Sequence, residues 1–141
     1  MAKAIRLLLE NEPEKAQREA EIKAKIVDYL KDKPGIDIFS PVSDGFAPHI
    51  LCFALEGIRG ETLVHTLEDQ DIYTSTTSAC ASKTADEAST LVSMRIDDKI
   101  ATSAIRLIFD ETNTLQEADE FIKVFDKIYN HFAKINHLGE N

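Results

Sequence analysis

The apolar segment at residues 49–55 constrains the fold of this chain more than any other feature. It reads His-Ile-Leu-Cys-Phe-Ala-Leu, between a Ser43-Asp44-Gly45 turn and a Glu56-Gly57 turn. A short apolar run that is bounded by turn residues is typical of a strand buried in a sheet. We therefore expect residues 49–55 to form a central strand, and the remaining elements to be arranged around it.

The other elements follow from periodicity and turn residues. Strands are predicted at residues 36–39, 72–74 and 100–109, and helices at 1–30, 60–70, 88–94 and 114–135. The first helix is either continuous or broken near Pro13, and the last begins with a capping box in which Thr114 is followed by Glu117. This order predicts an α+β fold, a two-layer sandwich in which a small, mainly antiparallel sheet is covered by helices mostly on one face.

The length of 141 residues is that of a single domain, which we place at 1–141. A breaker at Lys33-Pro34-Gly35 separates a helical segment, 1–33, from a small α+β domain, 34–141. The helical segment is strongly charged and has only a narrow apolar stripe at helical spacing. A helix of this kind needs a partner surface, either in this domain or in a longer protein.

Composition excludes several classes of protein. The chain has 25 acidic and 16 basic residues, a net charge of −9, which argues against direct nucleic-acid binding. No apolar run approaches the ~18 residues that cross a bilayer. Two cysteines do not make a disulfide scaffold, and no cleavage-site pattern follows the short apolar run near the N-terminus. These features predict a cytoplasmic protein.

Cys80 is the strongest candidate for chemistry. It lies in a run of small and hydroxylated residues, 74–84, that shows no apolar periodicity, and Lys83 is near enough in sequence to favour its thiolate. Reactive thiols need access to solvent and thiolate character. Cys52, by contrast, lies in the apolar segment, and we interpret it as a buried small hydrophobe.

Arg106 is the second candidate, because it interrupts the apolar strand at residues 104–109. A guanidinium there needs an acidic partner or an anionic ligand such as a carboxylate; the alternative is an arginine on an edge strand that points to water. No metal spacing is present among the four histidines, His49, His65, His131 and His137. The acidic cluster Glu117, Asp119 and Glu120 is interpreted as a solvated first helical turn.

The sequence resembles the C-terminal part of the cysteine desulfurases, which are pyridoxal-phosphate enzymes of the class V aminotransferase family. The resemblance covers nearly the whole chain in the right order, and the Gly-Glu-Thr-Leu and Ser-Ala-Cys blocks together are specific. It is similar to the branch with a long mobile cysteine loop. The matching pieces are Pro48-His49-Ile50-Leu51, Gly57 to Glu68, Ile72-Tyr73-Thr74-Ser75, Ser78-Ala79-Cys80-Ala81-Ser82 and Ser103-Ala104-Ile105-Arg106.

This resemblance implies roles for the two candidates. Cys80 would be the catalytic cysteine, which accepts sulfur from L-cysteine as a persulfide and leaves L-alanine, and Arg106 would bind the substrate carboxylate. The cofactor would be pyridoxal phosphate in the full-length enzyme, and the sulfur acceptors would be iron–sulfur scaffold proteins or tRNA-thiolating enzymes. Full-length relatives are dimers. The chain departs from the family at Thr77, often glycine, and at Ile108 and Asp110, where serine and glycine are common.

Nothing in the sequence matches the lysine that forms the cofactor Schiff base in this family, or its other cofactor-binding residues. The resemblance therefore implies the small C-terminal domain of a fold-type I pyridoxal-phosphate transferase, with residues 1–33 joining it to a cofactor domain. We expect no cofactor, no metal and no turnover in the chain alone. Two alternatives stay open: a stand-alone persulfide carrier, and a non-catalytic dimerisation or interaction domain.

Overall fold

The computed structural model describes residues 2–43, 45–76 and 94–136, and the side chains of residues 2–12 are not described. Cys80 with most of its loop, Thr77, residues 88–93 of the helix predicted at 88–94 and the C-terminal tail from residue 137 therefore lie outside the described residues. The described residues form four helices and four strands. No helix in the described ranges has an apolar stretch long enough to cross a membrane.

Helix α1, Ala2–Leu30, is continuous, which resolves the alternative at Pro13. Its buried stripe, Ile22, Ile26 and Leu30, packs on the sheet. At the C-terminal end of α1, the Tyr29 hydroxyl donates a 2.6 Å hydrogen bond to Oδ1 of Asp126 in the last helix. The narrow apolar stripe thus finds its partner surface within the chain.

The sheet has four strands in the order β1-β2-β4-β3, and every pair is antiparallel. The prediction of a central strand is confirmed, because β2 is flanked by β1 and β4. The predicted antiparallel sheet is confirmed as well. The strands are β1, Ile36–Ile38; β2, Ile50–Leu55; β3, Ser75–Thr76; and β4, Ala104–Ile108.

Two predicted strand boundaries are wrong. Residues 100 and 101, the start of the strand predicted at 100–109, belong instead to a short helix, α3, Asp98–Ala101. The Asp97 side chain caps this helix by accepting a 2.9 Å bond from the Lys99 N–H. The strand predicted at 72–74 instead lies at 75–76. The Ile72 N–H donates to the Leu67 carbonyl at 3.0 Å, so this residue still belongs to the turn that ends the preceding helix.

The two remaining helices are α2, Gly60–Glu68, and α4, Leu115–Asn136. The predicted capping box is confirmed, since the Glu117 N–H donates to Thr114 Oγ1 at 3.2 Å and the Thr114 N–H donates to Glu117 Oε2 at 3.0 Å. Helices α1, α2 and α4 contribute to one apolar core, in which the Phe53 and Phe125 rings meet edge to face at 5.6 Å.

Strand pairing assigns side chains to the two sides of the sheet. Phe53 and Ile105 lie opposite each other on the side covered by this core. Cys52, Arg106 and Ser75 are directly paired across three strands and therefore lie together on the other side, which we term the Arg106 face. Helix α3 contributes to a small cluster at one end of this face, where Ala101 packs against Ala54 and Ala104.

Candidate substrate-binding site on the sheet

Arg106 lies on an inner strand. Strand β4 is paired with β2 on one side and β3 on the other, and Arg106 stands directly opposite both Cys52 and Ser75. The alternative of an edge-strand arginine is therefore wrong. The side chain is partly buried on the Arg106 face rather than free in solvent.

The guanidinium has an unused donor. Nε of Arg106 is buried and has no hydrogen-bond partner among the described residues. In the same part of the chain, no carboxylate lies within 4.0 Å of this guanidinium. Buried donors are nearly always satisfied, so this position suits an anion that arrives from outside the described chain.

Asp37 and Thr74 were not identified from the sequence. Asp37 pairs with Ala54 on the Arg106 face, and its Oδ2 atom is buried without a described partner, as is Oγ1 of Thr74 just before β3. No motif marks either residue. Both residues stand out only because a side-chain oxygen is buried without a described hydrogen-bond partner, a feature that the sequence alone does not reveal.

Cys52 is partly buried, so its interpretation as a buried small hydrophobe is confirmed only in part. Its thiol packs at the edge of the cluster formed by Ala54, Ala101 and Ala104. Burial raises the pKa of this thiol to about 11, although the nearby positive charge of Arg106 pulls it down. Cys52 is therefore a neutral thiol at pH 7, and it neither neutralises Arg106 nor serves as a nucleophile.

Two local contacts place Arg106. The Gly60 N–H, at the start of α2, donates a 2.9 Å bond to the carbonyl of Thr102, just before β4. A Cβ at Gly60 would lie 2.6 Å from the Ala104 carbonyl oxygen. The first residue of the Gly-Glu-Thr-Leu block thus fits against the strand that carries Arg106, and only glycine permits this approach.

Ser40 forms hydrogen bonds with the edge of β2 that faces away from β4. Its Oγ accepts a 2.6 Å hydrogen bond from the Cys52 N–H and can donate to the Ile50 carbonyl at 3.4 Å. The hydroxyl thus continues the ladder just beyond β1, where the Phe39 N–H still donates to the Cys52 carbonyl at 2.9 Å. This anchoring holds Cys52 opposite Arg106.

The departures at Ile108 and Asp110 leave Arg106 in place. Ile108 is 59% exposed at the end of β4. The Asp110 carboxylate accepts hydrogen bonds from the Thr112 N–H and hydroxyl at 2.7 and 2.6 Å, which form the turn before α4. Neither residue interrupts the pairing of Arg106 with β2 or β3.

Cys80 remains a prediction, because it lies outside the described residues. Strand β3 ends at Thr76, four residues before Cys80, and β3 pairs with the strand that carries Arg106. Among the described residues, no group of three histidine, cysteine, aspartate or glutamate side chains is arranged to hold a metal ion. The acidic residues Asp119 and Glu120 are exposed, as interpreted.

Comparison with known proteins identifies the family of this chain. A model of the aminotransferase class-V family matches residues 1–121. A solved structure of a NifS-like protein, 29% identical, superimposes with a TM-score of 0.76 over 92% of this chain and 32% of its own. A NifS-like protein from Rickettsia africae, 21% identical, gives a TM-score of 0.72 over 88% of this chain and 31% of its own, which supports the fold alone.

Curated relatives agree with this assignment. The chain is 76% identical over 140 residues to a NifS/IcsS protein homolog of Lactobacillus delbrueckii subsp. bulgaricus, covering 99% of this chain and 36% of the relative. It is 29% identical over 143 residues to the cysteine desulfurase IscS of Clostridium botulinum, covering 100% and 36%. The chain belongs to the aminotransferase class-V family, and it spans about a third of the length of these relatives.

Proposed function

We propose that this chain is the small C-terminal domain of a cysteine desulfurase, in which L-cysteine gives L-alanine and Cys80 accepts the sulfur as a persulfide. The observation that carries the proposal is that Nε of Arg106, on an inner strand, is buried and has no hydrogen-bond partner among the described residues. Membership of the class-V family and similarity to a cysteine desulfurase over the whole chain support it.

Arg106 would bind the carboxylate of L-cysteine. A guanidinium presents a planar fork of donors that suits a carboxylate. The described residues near it leave its charge unpaired, since Cys52 is neutral at pH 7 and no described carboxylate is within 4.0 Å. Partial burial strengthens such an ion pair relative to one in water.

Cys80 would take the sulfur. A bond forms between its sulfur and the substrate sulfur while the carbon–sulfur bond of the substrate breaks, so L-cysteine and a thiol become L-alanine and a persulfide. This sum needs no external oxidant or reductant. Lys83 would favour the thiolate that makes the attack.

Pyridoxal phosphate, the cofactor expected for the family, would supply the electron sink for this chemistry. The described residues do not fit it as a covalent anchor. Lys23 is the only buried lysine among them, and its Nζ already donates to the Ala47 carbonyl at 3.1 Å. We therefore assign no cofactor-binding residue among the described residues, and we propose that the Schiff-base lysine belongs to another part of a longer protein.

Residues 1–33 would join this domain to the cofactor domain, and the whole enzyme would be a cytoplasmic homodimer. Its persulfide would pass to an iron–sulfur scaffold protein or a tRNA-thiolating enzyme. The 141-residue chain alone would not turn over.

The test uses the native gene product, whatever its length, purified after Cys80→Ser or Cys52→Ser is introduced into the gene. We expect alanine release from L-cysteine to be abolished by Cys80→Ser and retained by Cys52→Ser. Equal activity of the wild type and Cys80→Ser would refute the catalytic role of Cys80. Persulfide uptake by Cys80 from a separate desulfurase, without alanine release, would instead identify a stand-alone carrier.

A further inference from the structure

We propose that a cavity at the β3 edge of the sheet binds an extended segment of a partner protein, with an apolar side chain in the cavity and lysine or arginine residues beside it. The cavity has a volume of about 380 Å³ and lies between α1, residues 71–73, the end of β4 and the start of α4. This volume is within the ~300–1,000 Å³ range of ligand pockets. We term it the β4-end pocket.

The β4-end pocket is apolar inside. Ile22 and Ile26 of α1 and Phe121 of α4 line it, and each is at most 6% exposed. Two exposed residues with large apolar side chains are also among its lining residues, since Tyr73 is 79% exposed and Ile108 is 59% exposed. Exposed apolar residues around an apolar cavity are typical of a binding surface.

The rim is acidic. Asp71, Glu117 and Glu120 line the pocket, and none of the described residues that line it is a lysine, arginine or histidine. Two nearby lysines do not offset these carboxylates, because Lys25 is 2.7 Å from Asp119 and Lys15 is 3.9 Å from Glu111. Together with the net charge of −9, this favours a cationic occupant and disfavours an acidic one.

Strand pairing favours an extended occupant. Among the described residues, β3 pairs only with Arg106 and Ile105. Residues 71–73, which precede β3, leave the ladder and line the pocket, so no described strand pairs with Ile108 on that side. Phe109 donates its N–H to His49 on the β2 side, and the alternation of an antiparallel ladder therefore directs the Ile108 N–H and carbonyl toward the β3 side. Neither group has a backbone partner outside the strands among the described residues. A segment that lies there can gain these two hydrogen bonds.

The probes are fluorescent heptapeptides of alternating residues: valine and lysine, valine and glutamate, or serine and lysine. We expect saturable binding of the valine–lysine peptide, measured by fluorescence anisotropy with the native protein, and at least tenfold weaker binding of the other two. Glu120→Lys changes an exposed rim residue and should weaken binding about three- to tenfold. Ile108→Ser should weaken it by a similar factor.

Glu56→Lys is the matched control, because Glu56 is exposed in a turn and does not line the pocket. It changes the net charge as Glu120→Lys does and should leave binding within twofold of the wild type. The proposal is overturned if the valine–lysine peptide does not bind, if serine–lysine binds as tightly, or if Glu56→Lys weakens binding as much as Glu120→Lys. The readout is independent of Cys80, Arg106 and desulfurase activity.

Discussion

Gly60 and Ala104 approach each other so closely that a Cβ on Gly60 would lie 2.6 Å from the Ala104 carbonyl oxygen. This contact joins the first residue of α2 to the strand that carries Arg106 two residues later. The carbonyl oxygen of Thr102 would lie 3.3 Å from the same Cβ. Both neighbours are backbone atoms, so a side chain at residue 60 can be accommodated only if α2 or β4 moves.

We expect Gly60→Ala to lower the free energy of unfolding by about 2 kcal/mol, although alanine is the better helix former. Urea unfolding of the purified protein measures this change. Glu61→Ala is the control, because Glu61 is exposed on the same helical turn and should change stability by less than about 0.5 kcal/mol. A Gly60→Ala protein as stable as the wild type would contradict the close approach.

Tyr29 and Asp126 fix the end of α1 against α4. The hydrogen bond from Tyr29 and a second one from Lys33, at 3.0 Å, lower the pKa of the Asp126 carboxyl. Because the Asp126 side chain is 42% exposed, we expect Tyr29→Phe to cost only about 1 kcal/mol. Tyr73→Phe, at an exposed tyrosine, should cost almost nothing.

The pH dependence of this loss has a defined sign. A carboxyl whose pKa is lowered on folding contributes stability above its ordinary value of 3.8, and this stability is lost as the pH falls through the lowered value. The difference between the wild type and Tyr29→Phe should therefore be constant from pH 5 to 8 and shrink below about pH 4. A difference that grows in acid would contradict this interaction.

Cys52 should react slowly with alkylating reagents. Burial raises its pKa to about 11 from an ordinary value of 9.0, which lowers the thiolate fraction near pH 8 by about 100-fold. In a Cys80→Ser background, iodoacetamide should label native Cys52 at least that much more slowly than the urea-unfolded chain. Equal rates would show that the thiol is not held in this environment.

The charge of Arg106 should also affect the rate at which Cys52 is alkylated. Since Arg106 lowers the pKa of Cys52 against the effect of burial, Arg106→Gln should slow alkylation further. A residue such as Lys99, which is exposed on α3, offers the control Lys99→Gln and should not change the rate. Faster labelling of the Arg106→Gln protein would show that the substitution opens the sheet instead of removing a charge.

Long and strongly periodic elements could be predicted from the sequence. The apolar segment at 49–55 specified an inner strand, and Thr114 with Glu117 specified the start of α4, because burial and capping act within a few residues. The short elements were misplaced. Asp97 caps a four-residue helix where an alternating strand was expected, and Ile72 bonds back to Leu67, so local hydrogen bonds outweighed strand propensity.

The candidate site was predictable only in part. Arg106 was evident as a charge in an apolar strand. That its strand, β4, lies between β2 and β3 could not be predicted, because this depends on contacts between residues far apart in sequence. Oδ2 of Asp37 and Oγ1 of Thr74 are buried without a described hydrogen-bond partner, and no sequence pattern indicates this. The roles of Cys80 and Arg106 rest on resemblance to a family, and they stay predictions.

The most direct test of the central claim is the KM for L-cysteine of the native gene product with Arg106→Gln. Loss of a charged hydrogen-bond donor to the substrate carboxylate should raise KM, or lower kcat/KM, by about 10- to 100-fold. Arg18→Gln, at an exposed arginine on α1, should behave like the wild type. Kinetics of Arg106→Gln that match those of the wild type would contradict the assignment of Arg106 as the carboxylate-binding residue.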